Sequence, residues 1–234
     1  MRTVRTALIV IATGDLYRKH AHKLIASAHQ FFVPHDVVLF TDKPEEFEGF
    51  KPITIPDLGF PRATLLRYHM IHAASARLQS FDYIFYSDAD MLFVAPISGE
   101  ELFSDGITAT EHPGYTGLRG TPELNPLSKA YCPYIRTYFC GGFNGGTSAA
   151  FLAMAGTLRT AIDIDTKNNI MAIWHDESHL NRYLYDHPPA RILNPSFCYP
   201  QSEYGHLRGY YTGIWHRAGR QVTPKLIALD KETR

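Results

Sequence analysis

The chain opens as an alternation of short, wholly apolar runs and stretches of helical spacing. Residues 7–12 (ALIVIA) are an unbroken apolar run, the pattern of a strand buried on both faces. The turn T-G-D-L-Y at 13–17 leads into a helix, with Asp15 as the expected N-cap and amphipathic spacing over 20–32. Residues 37–40 form a second apolar run and end on Thr41 and Asp42. Strand, helix and strand in this order predict a right-handed parallel unit. Residues 58–80 predict a turn and then a helix starting near Pro61. Its apolar face would carry Leu65, Ile71, Ala74 and Leu78, with Arg67 to one side.

The stretch Y-I-F-Y-S-D-A-D-M-L-F-V at 83–94 follows. Its aromatic and β-branched start predicts a central strand that runs out onto two acids, Asp88 and Asp90. Beyond Val94 the texture changes. Residues 106–110 predict a strand delivering E-H-P-G-Y, and 114–133 predict a long Gly/Pro-rich loop, ordered when ligand binds. Residues 138–147 (YFCGGFNGGT) predict a glycine-rich strand and turn. Helices are expected over 148–164, 168–173 and 176–185, and a short strand over 191–193. From Tyr199 onward no periodicity is legible.

Composition narrows the class. The 234 residues suffice for one sizeable core, and 23 basic residues balance 23 acidic ones. That balance does not advertise a nucleic-acid partner, which usually requires a basic face. The three cysteines, Cys132, Cys140 and Cys198, lack metal-ligand spacing and read as core residues of a reduced, intracellular protein. The first apolar run is too short to span a bilayer, so a soluble, cytoplasmic protein without a transmembrane segment is expected.

Ionised carboxylates at the end of a buried strand are costly unless paired or metal-bound. Open α/β sheets bind ligands at such strand ends. An oxygen-rich pair there suits Mn²⁺, or Mg²⁺, holding a phosphate. The bland alternative, a turn carrying a solvated acid, applies to any isolated Asp-x-Asp. A phosphatase of the haloacid-dehalogenase type also uses such a pair, but on its first strand. In W-H-D-E-S-H-L at 174–180, His175 and His179 are four apart and would share a helix face. A zinc protease needs Glu directly after the first His, however, and Asp176 stands there.

In order and spacing, YIFYSDADMLF, HPGY, YFCGGFNGG and AIWHDESHLNRYL resemble the family 6 glycosyltransferases. That family comprises the histo-blood-group A and B transferases, the α1,3-galactosyltransferases and their short bacterial relatives. The resemblance runs over residues 11–212 and is most specific in WHDESHLN. It implies an α/β GT-A fold in one domain. A Rossmann-like nucleotide-sugar-binding half (about 1–94) would be fused to an acceptor-binding, catalytic half (about 95–234) with a mobile tail. It implies transfer of GalNAc, or less favourably Gal, from a UDP-sugar to O3 of a galactoside ending in Fucα1,2Gal, with retention of configuration.

Residue by residue, the resemblance implies the following. Ile11, Ala12 and Tyr17 line the uridine pocket. Arg67, Asp88, Ala89, His175 and Asp176 hold the donor sugar, and Asp88 and Asp90 hold Mn²⁺ (or Mg²⁺). Cys140, Gly141 and Gly142 select the donor, glycine at the last position leaving room for an acetamido group. Glu177 lies beneath the anomeric carbon as the catalytic carboxylate and reaches the acceptor, which His112 and Trp174 bind. A basic residue of the tail, His216, Arg217 or Arg220 with Lys225 nearby, reaches the diphosphate. A non-catalytic sugar-binding protein of the same fold is the rival reading, but it has no use for Asp88, Asp90 and Glu177 together.

Overall fold

In the computed structural model, which describes residues 3–204 and 209–230, the first apolar run is strand β1 (Thr6–Ala12). Helix α1 (Gly14–Phe31) follows at once. Its N-cap is Thr13, and Asp15, expected at the cap, sits in the first turn and pairs with Arg18. Strand β2 (Asp36–Thr41) lies parallel to β1, and the two-residue β3 (Ile53–Thr54) parallel to β2.

Residues 58–80 are not one helix. They form α2 (Arg62–Leu65), α3 (Arg67–Ala73) and α4 (Ser75–Leu78). The breaks fall at Leu66 and Ala74, whose ψ of 11° departs from helical values. The first break turns Arg67 inward, so it is buried where the sequence placed it to one side. The stretch at 83–94 is also divided. Strand β4 (Tyr83–Asp88) pairs parallel with β1, Ala89 and Asp90 make a turn, and β5 (Met91–Phe93) enters a second sheet.

Helix α5 (Gly99–Leu102) is closed by a Ser98/Glu101 capping box and leads to β6 (Ile107–Glu111). Strand β7 (Phe139–Thr147) runs antiparallel to both β4 and β6. There the backbones lie so close that a Cβ at Gly145 would sit 2.3 Å from the Phe85 ring and 2.5 Å from the Ile84 oxygen. Only glycine fits that crossing.

Helix α6 (Ser148–Lys167), capped by Thr147, and α7 (His175–Asp186) pack behind β7. The helix expected over 168–173 does not form. Asn169 takes φ +55°, and the Ile173 N–H donates to the Glu123 carboxylate at 2.7 Å, a partner outside any local ladder. Strands β8 (Arg191–Leu193) and β9 (Tyr199–Pro200), helix α8 (Tyr210–Arg217) and strand β10 (Leu226–Ala228) complete the fold. The last three occupy the tail in which no periodicity was legible.

The large sheet has the order β3-β2-β1-β4-β7-β6-β8, and the small sheet β5-β10-β9. Both faces of the large sheet are covered. Leu8, Val10, Phe85 and Phe143 pack with α1 and Phe93, while Ala7, Ile9, Ile84 and Tyr86 pack with residues of α3, α6 and α7. Each fully buried Leu or Phe contributes about 1.5–3 kcal/mol. This is the α/β, GT-A-like architecture implied by the resemblance. The chain leaves β1 toward β2 on one side and joins β4 on the other. The C-terminal ends of β1 and β4 therefore flank a switch point, where open α/β sheets hold ligands.

Candidate active site

At the end of β4, side chains two apart share a face, so Tyr86 and Asp88 point together. The Tyr86 hydroxyl donates to Asp88 Oδ1 at 2.6 Å. The following turn carries Asp90 and is held from behind, where the Leu229 N–H donates to the Asp90 carbonyl at 2.8 Å.

Arg67, turned inward at the head of α3, is the hub of the site. Its Nη1 donates to the Gly141 carbonyl at 2.9 Å and lies 3.3 Å from Asp88 Oδ1. Its Nε lies 2.7 Å from Asp176 Oδ2, an ion pair rather than an aligned hydrogen bond. The guanidinium also sits 4.5 Å over the Tyr86 ring. Burial alone would lower its pKa, but Asp176, Tyr86 and Asp88 outweigh that and hold it well above the ordinary value.

The third wall is the start of α7. His175 enters it at φ +50°, a conformation unusual for a side-chain-bearing residue. Asp176 and Glu177 then fall in the first turn, where the helix dipole favours negative charge. Glu177 Oε2 accepts from the Gly141 N–H at 2.8 Å. Asn181, one turn on, donates to the Phe139 and Glu177 carbonyls and accepts from the Phe139 N–H, fastening α7 to β7. Burial pushes Glu177 up to about 7 against the pull of the Gly141 N–H. It pushes Asp176 up to about 6 although Arg67 pulls the other way. A carboxyl poised near neutrality in a cleft is a mark of chemistry.

These elements enclose a cavity of about 490 Å³, within the range of ligand pockets. It gathers Ile11 and Tyr17 from the β1–α1 region, Arg67, the turn of Asp88, Ala89 and Asp90, then Gly141 and Gly142, and finally Trp174 through Glu177. Trp174 is 46% exposed and donates from Nε1 to Thr121 Oγ1 at 2.6 Å, so it is not a core residue. Ala12 and Cys140 are buried and do not line the cavity; Cys140 packs behind it with Cys198. The Cys198 thiol is pushed up by its hydrogen bond with Cys140 and by burial.

His112 lies outside the cavity, tilted against Tyr115 and edge-on to Tyr138. Burial depresses it to about 4, so the ring is neutral at physiological pH. Its Nδ1 accepts from the Gly114 N–H at 3.1 Å, which leaves the proton, and a free donor, on Nε2. His216, Arg217 and Arg220 do not line the cavity either. Arg220 reaches Glu111 at 3.4 Å, and Lys225 pairs with Glu101.

The Asp88 and Asp90 carboxylates offer oxygen only, and among the described residues no group of three or more acids, His or Cys could hold a metal. Two carboxylates, too few for a closed protein cage, suit a hard divalent cation completed by phosphate oxygens. The donor set therefore fits Mn²⁺ or Mg²⁺.

Sequence reasoning missed several residues. Asp57, Phe60 and Tyr86 line the cavity, Phe60 edge-on to His175 at 5.3 Å between centroids. Tyr86 could have been found from its i, i+2 relation to Asp88; Asp57 and Phe60 carry no local signal.

The sequence profile of glycosyltransferase family 6 matches residues 57–207. The rat histo-blood group ABO system transferase 1 is 33% identical over 78% of this chain and 57% of its own length. The mouse globoside alpha-1,3-N-acetylgalactosaminyltransferase 1 is 31% identical over 82% and 60%. The O-antigen biosynthesis glycosyltransferase WbnI of Escherichia coli is 27% identical, covering 96% of this chain and 94% of its own. The chain thus spans under two thirds of the mammalian relatives and nearly all of the bacterial one.

Proposed function

Since this chain belongs to glycosyltransferase family 6, we propose that it is a retaining α1,3-glycosyltransferase moving GalNAc, in preference to Gal, from a UDP-sugar to O3 of a galactoside that ends in Fucα1,2Gal. The observation that carries this reading is the convergence of Glu177, Arg67 and the Asp88–Asp90 turn on one cavity at the switch point of the sheet.

Each residue then has a task. Ile11 and Tyr17 receive the uridine, while Arg67, Asp88 and Asp176 hold hydroxyls of the sugar. Asp88 and Asp90 would hold the divalent cation, which when bound neutralises charge on the departing diphosphate. Glu177 in its ionised form stabilises the positive charge that develops at the anomeric carbon, whether it attacks that carbon or supports same-face attack by the acceptor. The Gly141 N–H at 2.8 Å fixes the carboxyl for either role. Trp174 offers an apolar face to the acceptor galactose, and neutral His112 offers its Nε2 hydrogen. One of the tail side chains His216, Arg217 and Arg220 reaches the diphosphate when the donor binds.

The preference for GalNAc is supported at Gly142. A Cβ there would lie 3.3 Å from Asp88 Oδ2 and 3.8 Å from Cys198 Sγ, so glycine keeps that side of the cavity open. The test is UDP release from UDP-GalNAc and UDP-Gal with 2′-fucosyllactose, in Mn²⁺ or EDTA. Turnover that favours GalNAc and stops in EDTA is expected. Undiminished turnover in EDTA would remove the metal from the reading. No turnover with either donor would return the chain to a sugar-binding role.

A further inference from the structure

Two segments beside the Trp174 edge of the cavity leave large apolar side chains in water. In the loop between His112 and Tyr138 these are Leu118, Leu124, Leu127 and Tyr134; in the segment entering α7 they are Met171 and Ile173. Leu127 is 75% exposed and Leu124 59%. Backbone and side-chain bonds hold the two segments together as one rim. Glu123 accepts from the Ile173 N–H at 2.7 Å, and Asp165 accepts from Ser128 Oγ at 2.6 Å and the Lys129 N–H at 2.7 Å. Thr121 accepts from Trp174 Nε1, and Arg119 donates to the Pro133 carbonyl.

Charge on the rim is one-sided. Its cations Arg119, Lys129, Arg136 and Lys167 are all exposed, while the one carboxylate of residues 112–137 and 166–174, Glu123, is buried. The chain as a whole is electrically balanced, so this is a local arrangement. Clustered exposed apolar side chains mark an interaction surface. The exposed Asp186 beside Cys132 is paired with Arg182, so the remaining exposed charge of the rim is cationic and the complementary partner is apolar beneath an anionic skin.

From this juxtaposition we infer that the rim is a peripheral docking surface for an anionic phospholipid bilayer. Leu124, Leu127, Met171 and Ile173 would enter the headgroup boundary. Lys129, Arg119, Arg136 and Lys167 would contact lipid phosphates, and their long stems allow the charge to reach them. Docked this way, the Trp174 edge of the cavity faces the membrane surface, where an acceptor carried on a lipid would present its sugar.

The inference needs no turnover and is tested by co-sedimentation of the whole chain with vesicles. Mixed phosphatidylcholine–phosphatidylglycerol vesicles are compared with pure phosphatidylcholine vesicles. Binding to the anionic vesicles, weakened by salt, is expected. Lys129→Glu should reduce partitioning on the order of fivefold or more, the effect of about 1 kcal/mol per surface cation. Leu124→Ser with Leu127→Ser should reduce it further while leaving the melting temperature unchanged, since both side chains already face water. Absence of binding, or equal binding to both vesicle types that ignores Lys129→Glu, would overturn the inference. A concentration-dependent dimer that the leucine variants dissolve, without vesicle binding, would instead assign the rim to a second copy of the chain.

Discussion

Arg67 and Asp176 form an ion pair, 2.7 Å between Nε and Oδ2, with both side chains buried. The same guanidinium holds the Gly141 carbonyl and faces Asp88, so one cation ties α3, β4, β7 and α7 at a single point. Removing one partner leaves an uncompensated buried charge. Arg67→Met should destabilise the fold by about 3–5 kcal/mol. Denaturant unfolding of Arg67→Met, Asp176→Leu and the double variant checks this. The double variant should recover a large share of the loss, because it buries no charge.

Glu177→Gln should slow transfer by on the order of a hundredfold or more while leaving UDP-sugar affinity within a few fold, because the lost charge matters most in the transition state. Single-turnover kinetics alongside isothermal titration with the donor separate the two effects. Equal losses in both would make Glu177 a binding residue.

Glu177 also sets a pH dependence. Its folded value of about 7 lies above the ordinary carboxyl value of 4.5, so between the two the folded chain keeps a proton that the unfolded chain has released. This contribution to stability is present below the unfolded value and lost as pH rises through about 7. Glu177→Gln should therefore gain on the native protein between about pH 5 and about pH 8, by on the order of 1–2 kcal/mol. That is discounted because the carboxyl opens on the cavity. Over the same range kcat/KM of the native protein should rise to a plateau as the carboxylate forms.

Asp90→Asn should weaken Mn²⁺ binding in the presence of UDP by upwards of ~10-fold, the least that even an outer-shell partner contributes. Paramagnetic resonance of free Mn²⁺ reads this directly, without turnover. An unchanged titration would remove Asp90 from the cation site.

Glu203 is buried and accepts from the N–H groups of Gly209, Tyr211 and Thr212 and from the Thr212 hydroxyl, so it caps α8 from outside the helix. Burial alone would raise its pKa, but these bonds hold it below the usual carboxylate value. The stability it gives is present above the unfolded value and lost as pH falls through the folded one. Glu203→Gln should cost about 0.5–2 kcal/mol at neutral pH. The cost should shrink on acidification, as thermal melts from neutral to acid pH would show.

Where interactions are local, the sequence already displayed them. Strands β1 and β4 were legible because parallel strands covered on both faces are continuous apolar runs, and Asp88 because polar residues end such runs. The errors arose where a distant group decides. Ile170 and Ile173 have helical spacing, but the Ile173 N–H goes to Glu123, fifty residues away, and its side chain faces water. Arg67 read as lying to one side of its helix because nothing nearby in sequence foretells Asp176 or the Gly141 carbonyl. Helix α8 relies for its first turn on Glu203, a group outside the helix. The family likeness supplied Glu177, whose neighbours Gly141 and Tyr138 reach it only through β7.

The acid turn between β4 and β5 is stitched to β10, with Met91 opposite Ala228 and the Asp90 carbonyl bonded to the Leu229 N–H. The consequence concerns time. A nascent chain that has emerged through residue 94 holds β1, β2 and β4, yet its acid turn lacks the strand that braces it. More than a hundred further residues must leave the ribosome before that brace exists, so the acid turn takes its final shape only late in synthesis.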